Sequence, residues 1–170
     1  MSASSASLVR FVGDPRFLDH RAPPDHPERP ERLAAVGLAL DDVADAGAAA
    51  CIERIAPRAA EYEELLGVHD ERMLQRLSAT RHARAGHLDP DTYHVPASFD
   101  VARLAAGASI DLVRSALRDE APRGFAAVRP PGHHAEADRA MGFCLLNNVA
   151  IATRAAQREL GGPRVLLFDW

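Results

Sequence analysis

Short apolar segments with strand character alternate along this chain with segments of helical periodicity. The strand-like segments are residues 8–12, 51–55, 125–128 and 164–168, and the last two are apolar almost throughout. Continuous apolar runs are typical of strands that helices cover on both faces. Because a helix between two strands carries the chain back across the sheet, this alternation favours parallel pairing. The sequence therefore predicts an α/β fold, with a parallel sheet and helices on both of its faces.

Proline, serine, asparagine and glycine mark the ends of the predicted helices. Pro30 suits a first helical turn, and Gly47 is expected to end that helix. Ser98 is expected to cap a long helix, and either Asn147 or Asn148 begins the last one. The predicted helices fall between the strand-like segments, as the alternation requires. Two further short helices are predicted at residues 61–66 and 71–77.

The composition excludes several classes of protein. Apolar residues make up 47% of the 170 residues, as in folded globular domains. The net charge is −4 and no basic run occurs, which gives no reason to expect a nucleic-acid partner. No apolar stretch reaches the roughly 18 residues of a membrane span. Residues 1–7 lack the features of a secretory signal and are expected to be disordered. The expected location is the cytoplasm, with Cys51 and Cys144 as buried thiols.

Two adjacent histidines follow one of the predicted buried strands. Ligand sites of α/β sheets lie beyond the carboxyl ends of the strands, and residues 129–134 (RPPGHH) begin there. The neighbouring imidazoles of His133 and His134 suit proton transfer near neutral pH. Asp169 directly follows the last predicted strand and could accept a hydrogen bond from one of them. The alternatives are a solvent-exposed histidine pair and an aspartate that caps the next turn.

Several other residues that could belong to a site have ordinary structural interpretations when each is taken alone. Phe143, after Gly142, is expected to pack in the core, Asp91 to form a turn, and Arg32 to be a solvated helix residue. No cysteine pair has zinc-ribbon spacing, and no glycine-rich phosphate loop occurs. Five other histidines lack metal-ligand spacing and are expected at the surface: His20, His69, His82, His87 and His94.

Four motifs together resemble one family. They are HPERPERL at 26–33, DPDTY at 89–93, RPPGHHAEADRAMGFCLLNNVAIA at 129–152 and RVLLFDW at 164–170. In their order and approximate spacing they resemble the zinc-dependent histone deacetylase superfamily. The forms PPGHHA and GFC are similar to its class II branch and to bacterial relatives that include acetylpolyamine amidohydrolases. The long third motif is the most specific of the four.

The resemblance implies an arginase–deacetylase α/β fold and the hydrolysis of an acetylated amine to a free amine and acetate. In the family a zinc ion polarises the amide carbonyl and activates water. His133 matches a histidine that a carboxylate orients and that acts electrostatically, and His134 matches the general base and acid. Asp169 matches the orienting carboxylate, which is also expected to lie near a structural K⁺ ion.

The same resemblance implies a set of substrate contacts. Gly142 and Phe143 match the wall of the channel for the acyl chain. Asp91 matches a rim carboxylate that holds the substrate backbone in some members, and Arg32 matches an arginine near the internal acetate pocket. The implied partners are an acetyl-lysine peptide or an acetylated polyamine, without nucleic acid or membrane, and an oligomer is compatible with the sequence.

The chain departs from the family pattern at its end. The family's Asp-x-His zinc ligands begin two positions after the residue that matches Asp169, whereas Trp170 is the last residue here. We therefore expect residues 1–170 to be the N-terminal portion of a single deacetylase domain, without zinc ligands and inactive alone. The alternatives are a complete minimal domain and a non-catalytic, deacetylase-like binding or scaffold module.

Overall fold

A three-stranded parallel sheet organises the molecule. The computed structural model describes residues 8–118, 120–159, 161 and 164–169. Strand β1 (Val9–Val12) lies in the centre, between β2 (Ile52–Arg54) and β5 (Arg123–Ala126). Val9 is opposite Ile52 on one side and Arg123 on the other, and both pairings are parallel. The predicted parallel α/β architecture is confirmed, whereas the predicted disorder of residues 1–7 lies outside the described residues.

The predicted helices are present, with boundaries close to those that the sequence indicates. They are α1 (Glu31–Val43), α2 (Tyr62–Leu65), α3 (Glu71–Ala79), α4 (Ser98–Leu117) and α5 (Asn148–Glu159). Pro30 immediately precedes α1, and Gly47 has a φ of 106° in the turn that follows it. None of the helices in the described ranges combines the length and apolar character needed to cross a bilayer.

Helix α4 is the centre of the core, because apolar side chains pack on two of its sides. One cluster joins it to the sheet: Val12, Phe17, Val101, Leu104, Ala105, Ala108 and Leu112. A second cluster, with Leu74, Phe99, Ile110, Leu146 and Ile151 among its members, joins it to α3 and α5. By contrast, α1 has no fully buried residue, and Leu38 on it is 68% exposed.

Neither of the two segments predicted as strands buried on both faces is buried throughout. In segment 125–128 only Ala127 is fully buried, and all of 164–168 is exposed. Strand β5 begins two residues before the predicted segment 125–128, and Phe125 in it is 48% exposed. Within the described sheet β5 pairs only with β1, so it is an edge strand. Residues 164–168 are not a β-strand, and Leu166 is 90% exposed. A parallel strand is buried only where neighbouring strands and helices cover it, and no described strand pairs with residues 164–167.

Three of the five histidines expected at the surface are buried. His20 is 0%, His69 2% and His94 8% exposed. His20 hydrogen-bonds the Ser98 hydroxyl over 2.7 Å, and this hydroxyl also accepts a bond from the Val95 N–H. Ser98 is therefore the first residue of α4 rather than its cap, contrary to the prediction. A buried imidazole needs specific hydrogen-bond partners, which spacing along the sequence does not reveal.

The prediction that both cysteines are buried is corrected in part. Cys144 is buried as expected, but Cys51 is only partly buried.

The segment between α3 and α4 contains a short antiparallel hairpin. Its strands are β3 (Gly86–His87) and β4 (Tyr93–His94), with Gly86 opposite His94.

Candidate active site

The loop between β5 and α5 carries the adjacent histidines. The rings of His133 and His134 lie edge to face, with centroids 4.2 Å apart. The loop returns so that Gly142 lies against the second ring: a Cβ at this position would be 2.8 Å from His134 Cδ2. Gly142 also has a φ of +58°, which side chains rarely adopt. Gly142 therefore packs directly on the imidazole of His134.

Asp169 lies beside the first histidine, as the sequence predicts. Its Oδ2 is 3.8 Å from His133 Nδ1, in reach of an ion pair when the imidazole is protonated but too long for a hydrogen bond. The two side chains are 48% and 71% exposed. The structure thus brings His133, His134 and Asp169 together at one edge of the molecule.

Asn147 and the buried His69 support the histidine loop from behind. Asn147 caps α5, because its Oδ1 accepts the Ala150 N–H, and its Nδ2 donates to the Ala135 carbonyl. His69 Nδ1 donates to the Glu136 carbonyl over 2.8 Å, while its Nε2 accepts the Asn147 N–H over 2.9 Å. Acceptance at Nε2 requires a neutral ring that carries its proton on Nδ1, and burial lowers the pKa of His69, which favours this form. Sequence reasoning missed His69, because its partners lie more than 60 residues away.

The predicted rim and channel residues also come together. The Phe143 N–H donates to the Thr92 hydroxyl over 3.0 Å, and that hydroxyl donates to Asp91 Oδ1 over 3.2 Å. The His26 ring meets the rings of Phe143 and Tyr93 edge on, each at a centroid distance of 4.7 Å. His26 Nε2 also lies 3.3 Å from the Asp91 carbonyl oxygen. His26 and Thr92 are site residues that only their positions within the HPERPER and DPDTY motifs could have indicated.

Arg32 is not drawn into this site by any described contact. It lies in the first turn of α1 with its side chain exposed. Its assignment to an acetate pocket stays a prediction.

A buried ionic cluster lies beneath the rim, and sequence reasoning missed it as well. Arg129, at the start of the RPPGHH motif, pairs with Glu28 of the HPERPER motif, and both are at most 3% exposed. The Tyr93 hydroxyl donates to Glu28 Oε2 over 2.7 Å. Burial alone would raise the pKa of Glu28, but the bonds from Arg129 and Tyr93 outweigh it and hold that pKa below its ordinary value. Glu28 is therefore an ionised carboxylate at neutral pH.

Cys144 lies next to the histidine loop but is not a nucleophile at neutral pH. It is 0% exposed, and burial raises the pKa of its thiol to about 11. The nucleophilic form of cysteine is the thiolate, which a pKa this high suppresses.

The described residues do not form a metal site. Across the ranges that the structure describes, no three His, Cys, Asp or Glu side chains are grouped so that they could hold a metal ion. A catalytic zinc ion needs three protein ligands. His133, His134 and Asp169 therefore do not fit a zinc centre by themselves.

Comparison with known proteins gives consistent matches. The histone deacetylase domain profile matches residues 26–170. The uncharacterized protein slr0245 of Synechocystis is 38% identical over 164 residues, which are 96% of this chain and 53% of that protein. Human polyamine deacetylase HDAC10 is 41% identical over 84% of this chain and 22% of its own length. The histone deacetylase-like amidohydrolase of Pseudomonas aeruginosa is 39% identical over 85% of this chain and 37% of its own.

A solved structure extends the match to three dimensions. The crystal structure of the HDA15 HD domain superposes with a TM-score of 0.85 and 35% identity, covering 92% of this chain and 44% of that one. The chain thus spans about half, or less, of the length of the proteins it matches. This superposition confirms the arginase–deacetylase fold that the motifs imply. Because the profile also matches most of its residues, the chain belongs to the histone deacetylase family.

Proposed function

We propose that this chain supplies the histidine-bearing half of the active site of a deacetylase that hydrolyses acetyl-lysine or acetylated polyamines. The observation that carries the proposal is the edge-to-face pair His133–His134 with Asp169 beside it. His134 serves as general base and then as general acid, while His133 stabilises charge and is oriented by Asp169. Gly142 and Phe143 line the channel, and Asp91 holds the substrate at its rim.

Zinc is the cofactor that we propose for the complete domain. Members of this family are generally zinc-dependent. We place the zinc ligands, and the residue that stabilises the oxyanion, outside the 170 residues. A structural K⁺ ion near Asp169 belongs to the same proposal. On this basis the 170-residue chain alone does not hydrolyse acetylated amines.

The substrate class and the location in the cell are part of the same proposal. Relatives of this chain carry the names polyamine deacetylase and histone deacetylase-like amidohydrolase, which supports small acetylated amines as well as acetyl-lysine peptides. We propose a cytoplasmic enzyme without nucleic-acid or membrane partners, and its oligomeric state is left open.

A non-catalytic binding module is the second candidate function. It is favoured by the lack of a three-ligand metal cluster within the described ranges. Such a module would bind an acetylated ligand between the Phe143 loop and the Asp91 loop without hydrolysing it. Isothermal titration with an acetyl-lysine peptide, followed by analysis of the peptide for loss of acetate, separates the two functions.

The decisive experiment compares the chain with a protein from the complete reading frame. We expect the codons after Trp170 to continue in frame with Asp-x-His, and the encoded protein to deacetylate an acetyl-lysine peptide in the presence of zinc. His134→Ala should then lower kcat by about 10²–10⁴, the usual contribution of general acid–base catalysis. His82→Ala, at an exposed histidine, is the matched control and should leave kcat unchanged.

Two results would contradict the proposal. One is a His134→Ala protein as fast as the wild type. The other is tight, stoichiometric zinc binding by the 170-residue chain, because it would place the ligands inside these residues.

A further inference from the structure

The buried cluster beneath the rim connects three loops through one guanidinium. Arg129 donates from Nε to Glu28 Oε1 over 2.5 Å and from Nη2 to Glu28 Oε2 over 2.8 Å. Nη2 also donates to the Tyr93 hydroxyl and the His20 carbonyl, each over 2.9 Å, and Nη1 donates to the Phe17 carbonyl over 3.2 Å. These partners belong to the loop after β1, to the segment before α1 and to β4.

Aromatic rings pack against the cluster. The His20 ring stacks on Tyr93 with centroids 4.4 Å apart and planes 12° from parallel. Its Nε2 lies 3.8 Å from Glu28 Oε2 and has no hydrogen-bond partner among the described residues. Burial lowers the pKa of His20 to about 3, so the ring is neutral. Arg129 and Glu28 are therefore the two charges of the cluster, and they neutralise each other.

A buried ion pair of this kind is costly, so its presence points to a role other than stability. Removing two charges from water costs several kcal/mol, and replacing such a pair by neutral side chains of similar volume is often neutral or stabilising. The pair does fix the orientation of the Arg129 side chain, because the planar guanidinium donates its hydrogen bonds only in a rigid fork geometry. Lysine in its place could not hold both carboxylate oxygens and two carbonyls together.

The orientation of Arg129 affects the site because this residue begins the segment that ends in His133 and His134. Two prolines, Pro130 and Pro131, restrict the backbone after Arg129, and Gly132 is packed so closely that a Cβ would lie 2.5 Å from the Leu146 carbonyl oxygen. The Pro130 carbonyl accepts a bond from Asn148 Nδ2 over 3.3 Å. Little freedom remains between the guanidinium and His133, so the placement of Arg129 fixes where the segment starts.

We propose that Arg129, held by Glu28 and Tyr93, is a positioning residue that sets the orientation of the His133 and His134 rings in the site. Neither Arg129 nor Glu28 reaches the substrate, since both are buried beneath the rim. This proposal rests on the proposed deacetylase function for its kinetic test, whereas its spectroscopic test does not require activity.

The test replaces both charges at once in the complete protein. The double variant Glu28→Gln/Arg129→Met leaves the net charge unchanged, so the field at the histidines changes little, but it removes the fork. We expect kcat to fall at least tenfold with KM within about twofold of the wild type. We also expect the acidic limb of the pH profile of kcat/KM to move by at least half a pH unit.

The matched control is a second bidentate pair in the same chain. Arg58 donates to both Glu64 oxygens, over 2.8 and 2.9 Å, in a partly buried site that contacts Asp111 of α4 rather than the histidine loop. Glu64→Gln/Arg58→Met should leave kcat and the pH profile unchanged, even where it lowers the melting temperature.

Two further variants keep the test decisive if the double variant does not fold. Tyr93→Phe removes the hydroxyl that donates to Glu28 and accepts from Arg129, and it keeps the ring stacked on His20. Arg129→Lys keeps the charge but removes the planar guanidinium. Each should lower kcat at least threefold. Unchanged kcat and pH profiles in every folded variant would overturn the positioning role.

A spectroscopic measurement separates this proposal from the proposed function. The ¹⁵N signals of the imidazoles report the titration of His133 and His134 whether or not the protein turns over substrate. Titration midpoints that move in Glu28→Gln/Arg129→Met but not in the control support positioning, even if the wild type shows no deacetylase activity. Identical midpoints in wild type and variant contradict it.

Discussion

Position 142 shows how a single residue shapes the candidate site. Glycine is required there by a positive φ and by the His134 ring, which a Cβ would meet at 2.8 Å. We expect Gly142→Ala to displace that ring and to lower kcat of the complete protein at least tenfold. Gly161→Ala is the matched control, because Gly161 also has a positive φ, of 71°, but no atom within 4 Å of the added Cβ. Equal losses of kcat in both variants would mean that backbone strain, not ring contact, is responsible.

The Thr92 hydroxyl is a second single group with a defined part in the candidate site, because it connects Phe143 to Asp91. It accepts the Phe143 N–H and donates to Asp91. Thr92→Val keeps the shape but leaves a peptide N–H without its acceptor, which costs about 1–3 kcal/mol. We expect KM for an acetyl-lysine peptide to rise at least threefold, since Asp91 loses its orienting partner.

Thr92→Ser retains the hydroxyl and is the control for this prediction. Its KM in steady-state assays should stay within twofold of the wild type. A Thr92→Val protein with wild-type KM for the peptide would show that the orientation of Asp91 does not depend on this bond.

Motif identity predicted that His133, His134 and Asp169 lie close together. In the structure the two rings are in contact and Asp169 lies 3.8 Å from His133, while their catalytic roles stay a prediction. Residues that act through distant partners were not found. Arg129 and Glu28 are 101 positions apart, and His69 bonds residues 67 and 78 positions away. No local pattern encodes such pairs, because they depend on how loops from separate elements pack.

Helix α4 shows at the scale of an element how closely the core is packed. A Cβ at Gly107 would lie 2.1 Å from the Arg58 carbonyl oxygen, while one at Gly37 of α1 would meet nothing within 4 Å. We expect Gly107→Ala to lower the free energy of unfolding by about 1–3 kcal/mol through overpacking. Gly37→Ala should raise it by about 0.5–1 kcal/mol, because alanine favours the helix.

Urea unfolding followed by circular dichroism measures both glycine variants. The opposite signs are the critical result. A Gly107→Ala protein as stable as Gly37→Ala would mean that the segment 58–60 is not held against α4 as closely as the structure indicates.

The elements differ in how far the sequence could predict them. Helix positions depend on local signals, such as Pro30 before α1 and Asn147 as the cap of α5, and they were predicted well. Full burial of β5 and of residues 164–168 was predicted wrongly. An apolar run indicates that a strand is suited to burial, but it does not show which strands or helices cover it.

The whole molecule should lose stability as the pH falls, in two stages. The pKa of His20 is lowered to about 3 in the folded protein, against about 6.5 in unfolded chains. Between those values the unfolded state binds a proton that the folded state does not, so stability falls by up to about 1.4 kcal/mol per pH unit. The depressed pKa of Glu28 adds a second loss that begins below pH of about 4.5.

Thermal melts between pH 7.5 and 4 check this dependence. In His20→Asn, whose amide can replace the bond to Ser98, the decline between pH 6.5 and 4.5 should be shallower than in the wild type. His82→Asn, at an exposed histidine, should follow the wild-type curve. Parallel curves for all three proteins would exclude His20 as the origin of the loss.

Asp169 follows a stretch of apolar residues that is largely exposed to solvent. The residues just before it are strongly apolar, yet Leu166 and Phe168 are 90% and 77% exposed. Any polypeptide that shelters this stretch from water would also restrain the carboxylate beside His133. Burial of these apolar side chains and ordering of the pair that Asp169 forms with His133, now 3.8 Å apart, would then be coupled.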